Sequence, residues 1–179
     1  RLAVVSARAK ENGLPVVYVN RVGGQDELLF DGASFVVAAD GSLAQQVPAW
    51  HETVALAAFD GASPRPVRGS LDPRLEPHVW HGLVMGVRDY VGKNGFPGVL
   101  VGLSGGVDSA LTLAIAVDAL GPARVRAVMM PSRYTAPMSV DDAREMAGSL
   151  GVRYDDIPSG GALPAVLGAR EGEIRGRPR

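Results

Sequence analysis

No cysteine occurs among the 179 residues, which excludes a disulfide framework, a thiolate zinc site and a cysteine nucleophile within this chain. Histidine is nearly as scarce, and the three present make no metal pattern. His51-Glu52 opens like a zinc-protease motif, but Ala55 stands where the second histidine is required. His78 and His81 share a helical face at i, i+3 with no third ligand nearby, so they read as a packed or solvated pair. An excess of one charge is also missing. The 18 basic and 19 acidic residues leave a net charge of -1, which gives no electrostatic ground for a nucleic-acid or membrane partner. No apolar run approaches the ~18 residues of a membrane span, and no signal-peptide pattern opens the chain, so the sequence reads as cytoplasmic.

Glycine and proline are plentiful instead: 23 Gly and 13 Pro form about a fifth of the chain, against roughly an eighth in average usage. They punctuate it into two kinds of text. Leu2, Val5 and Ala9 share a helical face that Gly13 and Pro15 terminate. A strand at Pro15–Asn20 follows, and Ser34–Ala39, Leu43–Val47 and Thr53–Phe59 predict an antiparallel meander broken at Asp31-Gly32 and Asp40-Gly41. Gly, Pro, Ser and Arg then dominate, so we assign residues 1–60 to a β-rich part of one domain, 61–77 to a linker and 78–179 to a second domain. In that second domain a helix from Val79 to Val91 precedes a regular alternation. Strand Val99–Leu103, helix Asp108–Leu120, strand Val125–Met130, helix Val140–Leu150 with Ser139 as N-cap and Asp142 three residues on, and strand Val152–Ile157 predict βαβαβ. The fold class is therefore α/β, with a parallel sheet whose ligands bind at the strand carboxyl ends.

At the first such end lies Gly102-Leu103-Ser104-Gly105-Gly106-Val107-Asp108-Ser109, running straight into a helix. Two adjacent glycines remove the Cβ atoms that would hold an anion off and allow a tight turn. Backbone N–H groups converging at a helix N-terminus, with two serine hydroxyls beside them, suit a pyrophosphate. Asp108 would repel phosphate unless a divalent cation lay between them, so it is our candidate Mg²⁺ ligand. No pair of glycines stands two positions apart, so no dinucleotide G-x-G-x-x-G exists, and Gly92-Lys93-Asn94 closes a helix, so there is no Walker A loop. The bland alternative is a glycine-rich β-to-α turn with no ligand. A chance S-G-G-x-D-S in a chain of this length has a probability of about 10⁻⁴ at average residue usage.

Ser104-Gly105-Gly106-Val107-Asp108-Ser109 resembles the pyrophosphate loop of the N-type ATP pyrophosphatases. The segments from Gly86 to Phe96 and from Met130 to Thr135 resemble the glutamine-dependent NAD⁺ synthetases in particular. Asn20 to Gly32 is similar to the end of their nitrilase-like glutaminase domain. The resemblance implies a carbon–nitrogen ligase that adenylates the nicotinate carboxylate of deamido-NAD⁺ with ATP and Mg²⁺ and lets ammonia from glutamine displace AMP. Ser104, Gly105, Gly106 and Ser109 are then pyrophosphate contacts, Gly102, Leu103 and Val107 complete the ATP loop, and Asp108 is the metal ligand. Met130, Arg133 and Tyr134 either line the nucleotide or, for the adjacent Met129 and Met130, pack in the core. The family's glutaminase cysteine lies upstream of the matched segment, so no catalytic residue for glutamine hydrolysis is expected here. Gly23 to Glu27 either border that site or form a Gly-Gly turn with surface acids. A homo-oligomer is implied by resemblance alone. We expect a fragment that binds ATP without turnover; the alternatives are another pyrophosphatase-loop ligase with a different acceptor, or a tRNA-modifying enzyme.

Overall fold

Gly13 ends the first helix as its place in the sequence requires: α1 runs Leu2–Asn12, and Gly13 takes φ 62°, a left-handed cap that costs a residue without Cβ nothing. The computed structural model describes residues 1–67, 69 and 71–159. These divide into two compact units, Arg1–Tyr90 and Val91 onward.

In the first unit α1 is followed by β1 (Val16–Tyr18), β2 (Val22–Gln25), β3 (Leu28–Asp31), β4 (Phe35–Val37), β5 (Leu43–Gln46), β6 (Phe59–Asp60), β7 (Ser63–Pro64) and most of α2 (Leu75–Lys93). An antiparallel sheet of order β1-β4-β5 carries a small core, with Ala9 of α1 packed on Phe35 and Val37 and the Tyr18 ring stacked on Phe35 at 4.9 Å. β2 and β3 form a separate hairpin. The strand predicted over Thr53–Phe59 does not form. Residues 51–60 are exposed, and the open edge of β5 is met elsewhere: the Ala44 carbonyl accepts the Val67 N–H at 2.8 Å, so the glycine- and proline-rich stretch sits where a third meander strand would pair. The Gly-Gly turn does not form either. The hairpin turns at Asp26–Glu27, with Asp26 at φ 53°, and leaves Gly23 and Gly24 inside β2. Aspartate tolerates that left-handed conformation better than most side chains, and the glycines are needed for another contact. Of the histidine pair, His78 is half-buried and His81 exposed. The Trp50 indole N–H donates to His78 Nδ1 at 3.0 Å, so the ring proton lies on Nε2, 2.7 Å from the Asp72 carbonyl.

The second unit is the predicted alternation. It contains β8 (Val99–Leu103), α3 (Val107–Leu120), a 3-10 turn at Pro122–Arg124, β9 (Val125–Met129), α4 (Pro137–Ser149) and β10 (Arg153–Asp156). The sheet has order β10-β9-β8 and is parallel throughout. Its core joins Leu113 and Ala116 of α3 to Val101, Ala127 and Met129 of the sheet and Ala147 of α4. Burial falls on alternate strand residues, Val101 and Leu103 of β8 and Val125, Ala127 and Met129 of β9, while Leu100 is exposed, so this core forms on one face of the sheet. Ser139 is not the N-cap of α4. The helix starts three residues earlier, with Ala136 as N-cap and Pro137 at its first position, where the missing N–H costs nothing and the ring presets φ.

Beside β9, Asp155 is ion-paired to Arg126, and Asp156 accepts from Tyr154 Oη at 2.7 Å and Arg144 Nη2 at 3.1 Å. Their hydrogen bonds hold both carboxyls below the ordinary carboxylate range, Asp155 through Arg126 and Asp156 chiefly through the Tyr154 hydroxyl; burial and the Asp156 hydrogen bond push Tyr154 up to about 12. The carboxylates are lowered in the folded state, so their contribution is complete above the normal aspartate range and is lost as pH falls through the depressed values. The raised phenol works in the opposite sense and loses its contribution as pH climbs from 10.0 toward about 12. Urea midpoints measured against pH should therefore show both losses. In Tyr154→Phe the alkaline loss should shrink, and an unchanged alkaline limb would refute the assignment.

Candidate functional site

Parallel register sets three strand ends in a row: Leu103 of β8 pairs with Met129 of β9, which pairs with Asp156 of β10. The residues just beyond them therefore share the carboxyl edge of the sheet. The Ser104–Gly106 loop and Met130 lie there, and the chain after β10 folds back along the same edge, with Ile157 N–H donating to the Met129 carbonyl at 2.8 Å and Ser159 N–H to the Pro131 carbonyl at 2.9 Å.

Glycine is required in the loop for two different reasons. Gly105 has φ 78°, and a Cβ on it would stand 2.6 Å from Ser139 Cα and closer still to the Ser139 carbonyl oxygen. The loop thus presses against the first turn of α4. Gly106 is extended at φ -94° and is the N-cap of α3. Ser104 and Ser109 brace the bend: Ser109 Oγ donates to the Gly106 carbonyl at 2.9 Å and accepts the Ser104 N–H at 3.2 Å, while Ser104 Oγ accepts the Gly106 N–H at 3.2 Å and lies 3.1 Å from Ser109 Oγ. The N–H groups of Val107, Asp108 and Ser109 open α3, where an α-helix provides no internal partners and carries partial positive charge.

The structure brings Ser104, Gly105, Gly106, Val107, Asp108 and Ser109 together on this edge, with Ser104, Gly106 and Asp108 exposed. Leu103 differs: its side chain is buried in the core, so only its backbone faces the edge. Gly102 lies beside Met130, whose Cε would be 3.9 Å from a Cβ there. The two methionines separate, Met129 buried and Met130 59% exposed, so packing accounts for the first only. Arg133 and Tyr134 are exposed, the guanidinium 4.8 Å from the ring centroid, on a turn closed by Ser132 N–H donating to Thr135 Oγ1 at 2.9 Å.

A cleft of about 310 Å³ opens beside the loop, between α3 and α4, lined in part by Gly105, Gly106, Ser109, Asp142, Glu145 and Met146. Sequence reasoning missed the α4 side of it. Asp142 was assigned to a cap, whereas Asp142, Met146 and Ser149 recur at helical spacing and line the cleft. No group of three His, Asp or Glu side chains able to hold a metal occurs among the described residues. A cation at the loop would find the exposed Asp108 on α3, with Asp142 and Glu145 on the α4 wall of the cleft and no three-residue ligand group among the described residues, and would depend on phosphate oxygens for much of its shell. That donor set suits Mg²⁺, which keeps few protein ligands, and does not suit a structural metal.

Residues 79–172 match the NAD synthase family and residues 1–68 the carbon–nitrogen hydrolase family. The chain is 46% identical over 180 residues to the glutamine-dependent NAD(+) synthetase of Rhodobacter capsulatus, an alignment covering 94% of this chain and 31% of that protein. It superposes on the structure of glutamine-dependent NAD+ synthetase from Acinetobacter baumannii in complex with ADP with TM-score 0.92 and 44% identity, covering all of this chain and 34% of that one. The NMN synthetase of Francisella tularensis is 27% identical, with TM-score 0.50 over 54% of this chain and 40% of that one. The chain spans about a third of the length of the glutamine-dependent relatives it matches. With a βαβαβ sheet, an exposed Ser-Gly-Gly-Val-Asp-Ser bend at its carboxyl edge and more than half of its residues matched, the chain belongs to the NAD synthase family.

Proposed function

We propose that this chain is a section of a glutamine-dependent NAD⁺ synthetase: residues 1–60 from the end of its carbon–nitrogen hydrolase domain, 61–77 a linker, and 78–179 the front of its synthetase domain. The reaction is ATP-dependent amidation of deamido-NAD⁺, with ammonia from glutamine. The observation that carries it is the exposed loop from Ser104 to Ser109 in family sequence whose similar structures include one with bound ADP.

A carboxylate resists amidation because oxide is a poor leaving group. Attack by a carboxylate oxygen on the α-phosphorus of ATP breaks the bond to pyrophosphate, and ammonia then displaces AMP from the acyl carbon. Negative charge grows on the departing pyrophosphate during the first step. The first-turn N–H groups of α3 and the Gly105 backbone meet that charge in fixed positions, while the Gly106 N–H is held by Ser104 Oγ, so little reorganisation is needed. Ser104 and Ser109 keep the bend in that shape through their mutual bonds. Asp108 holds Mg²⁺, which when bound neutralises phosphate charge. Met130, Arg133 and Tyr134, on the neighbouring strand end, line the nucleotide. A cytoplasmic setting and homo-oligomeric assembly belong to the same proposal; no helix among the described residues is long and apolar enough to cross a membrane.

Calorimetry of the chain with ATP tests this, in Mg²⁺ and in chelator. Asp108→Asn should weaken Mg²⁺-dependent binding by about tenfold and metal-free binding by much less. Equal losses in both would remove Asp108 from the metal role, and no ATP binding by the parent chain would reject the reading. The similarity to an NMN synthetase supports a second reading, in which the acceptor is the mononucleotide acid; offering both acids to the longer protein with ammonia distinguishes the two.

A further inference from the structure

Glycine inside a strand weakens pairing and has no side chain to pack, so Gly23 and Gly24 in β2 call for a reason. That reason is a helix. Gly23 sits at φ 131°, and a Cβ there would stand 3.2 Å from Asp89 Oδ2; on Gly24 it would stand 3.3 Å from Asp89 Cβ. The Gly24 N–H donates to Asp89 Oδ2 at 2.7 Å. The helix makes matching room. Gly82, Gly86 and Asp89 follow one another at i, i+4 and i+7 and share one face of α2. Leu29, opposite Gly24 in the hairpin, brings methyl carbons to 3.7 Å and 3.5 Å from where Cβ atoms would be at Gly82 and Gly86, and the Trp50 ring edge comes to 3.2 Å at Gly82. Two glycines on the helix thus admit Leu29 and Trp50, and the next turn delivers a carboxylate to the strand backbone.

Sequence and packing assign this helix differently. Gly82, Gly86 and Asp89 lie in the stretch matched by the NAD synthase family, whereas the hairpin lies in the carbon–nitrogen hydrolase match; yet residues up to Tyr90 pack in one unit with the hairpin. At its far end the hairpin is tied to the start of α1, because Asp31 is ion-paired with Arg1 and accepts from Asn20 Nδ2 at 3.0 Å. α1 is the element nearest in sequence to the upstream region in which the family resemblance places the glutaminase cysteine.

We propose that Asp89 is a positioning residue for glutamine hydrolysis: a carboxylate carried by synthetase-family sequence that fixes the backbone of the β2–β3 hairpin on the hydrolase side. This rests on the reading of the longer protein as a glutamine-dependent synthetase. The Gly24 N–H is paired with a charged acceptor in a buried position, so removing that acceptor takes a charge-assisted hydrogen bond from the strand backbone.

The test is kinetic and uses the longer protein with its hydrolase region intact, supplied with either glutamine or ammonia. Asp89→Ala should lower kcat/KM for glutamine by about tenfold or more, while ammonia-supported NAD⁺ formation stays within about twofold of the parent. Asp89→Asn keeps an acceptor at the same reach and should recover most of the glutamine activity. Asp89→Glu drives the carboxylate into Gly23 and should behave like the alanine variant, so these two decide the matter if Asp89→Ala does not fold. A parallel fall with glutamine and ammonia, or Asn no better than Ala, would overturn the proposal. Absence of NAD⁺ formation from ammonia by the parent protein would instead reject the underlying functional reading.

Discussion

Gly105→Ala is expected to abolish measurable ATP binding and to destabilise the second unit by about 2–5 kcal/mol. Two costs combine. At φ 78° an L side chain is strained by about 1–2 kcal/mol, and the new methyl would collide with the Ser139 backbone, which cannot rotate away as a side-chain tip could. Relief requires the bend to move away from α4, and that movement misplaces the N–H groups that α3 presents. Urea denaturation and calorimetry with ATP read the two effects separately. Gly106→Ala is the control. Gly106 is extended, and its Cβ would meet only Ser104 Oγ at 3.3 Å, so the loss of stability should stay below about 1 kcal/mol. Equal behaviour of the two variants would show that the Gly105 contact does not shape the loop.

Leu113→Ala should be the most damaging core truncation, at about 2–5 kcal/mol and a fall in melting temperature of more than about 10 °C. Leu113 is fully buried, in the second turn of α3, within the cluster that joins α3 to the sheet and to Ala143 and Ala147 of α4. The cavity left behind would loosen the helix whose N-terminus completes the loop. ATP binding should weaken only as far as the folded fraction falls, because no group of the loop is removed. Calorimetry well below the melting transition checks this: a large affinity loss in fully folded protein would mean that the core tunes the site directly.

The second unit was largely legible in the sequence, and the reason is local. Val99–Leu103 is apolar throughout and Val125–Met129 is apolar apart from Arg126, Gly121-Pro122 stops α3, and strands and helices alternate. Element type, order and the position of the serine-flanked glycine pair follow from such signals. The first unit was less legible because its register depends on distant partners. Thr53–Phe59 has the composition of a strand, but Val67 occupies the backbone edge it would need. Gly23-Gly24 has the composition of a turn, but the chain turns at Asp26 and reserves the glycines for contact with Asp89, 65 residues away. The α4 wall of the cleft was hidden for the same reason: nothing local to Asp142 or Glu145 indicates that they come to lie beside Gly105.

Local chemistry alone specifies an α/β chain with a serine-flanked glycine bend between a strand and a helix, because a glycine pair, two serines and a helix start act over only six residues. Tertiary contact decides the remainder. The Ser139 backbone dictates which of the two glycines is irreplaceable, burial separates Met129 from Met130, and the small-residue face of α2 draws the β2–β3 hairpin onto a helix of different family origin. Those outcomes depend on atoms brought within 4 Å from far along the chain, and composition and periodicity encode neighbours along a helix or strand but not across the fold.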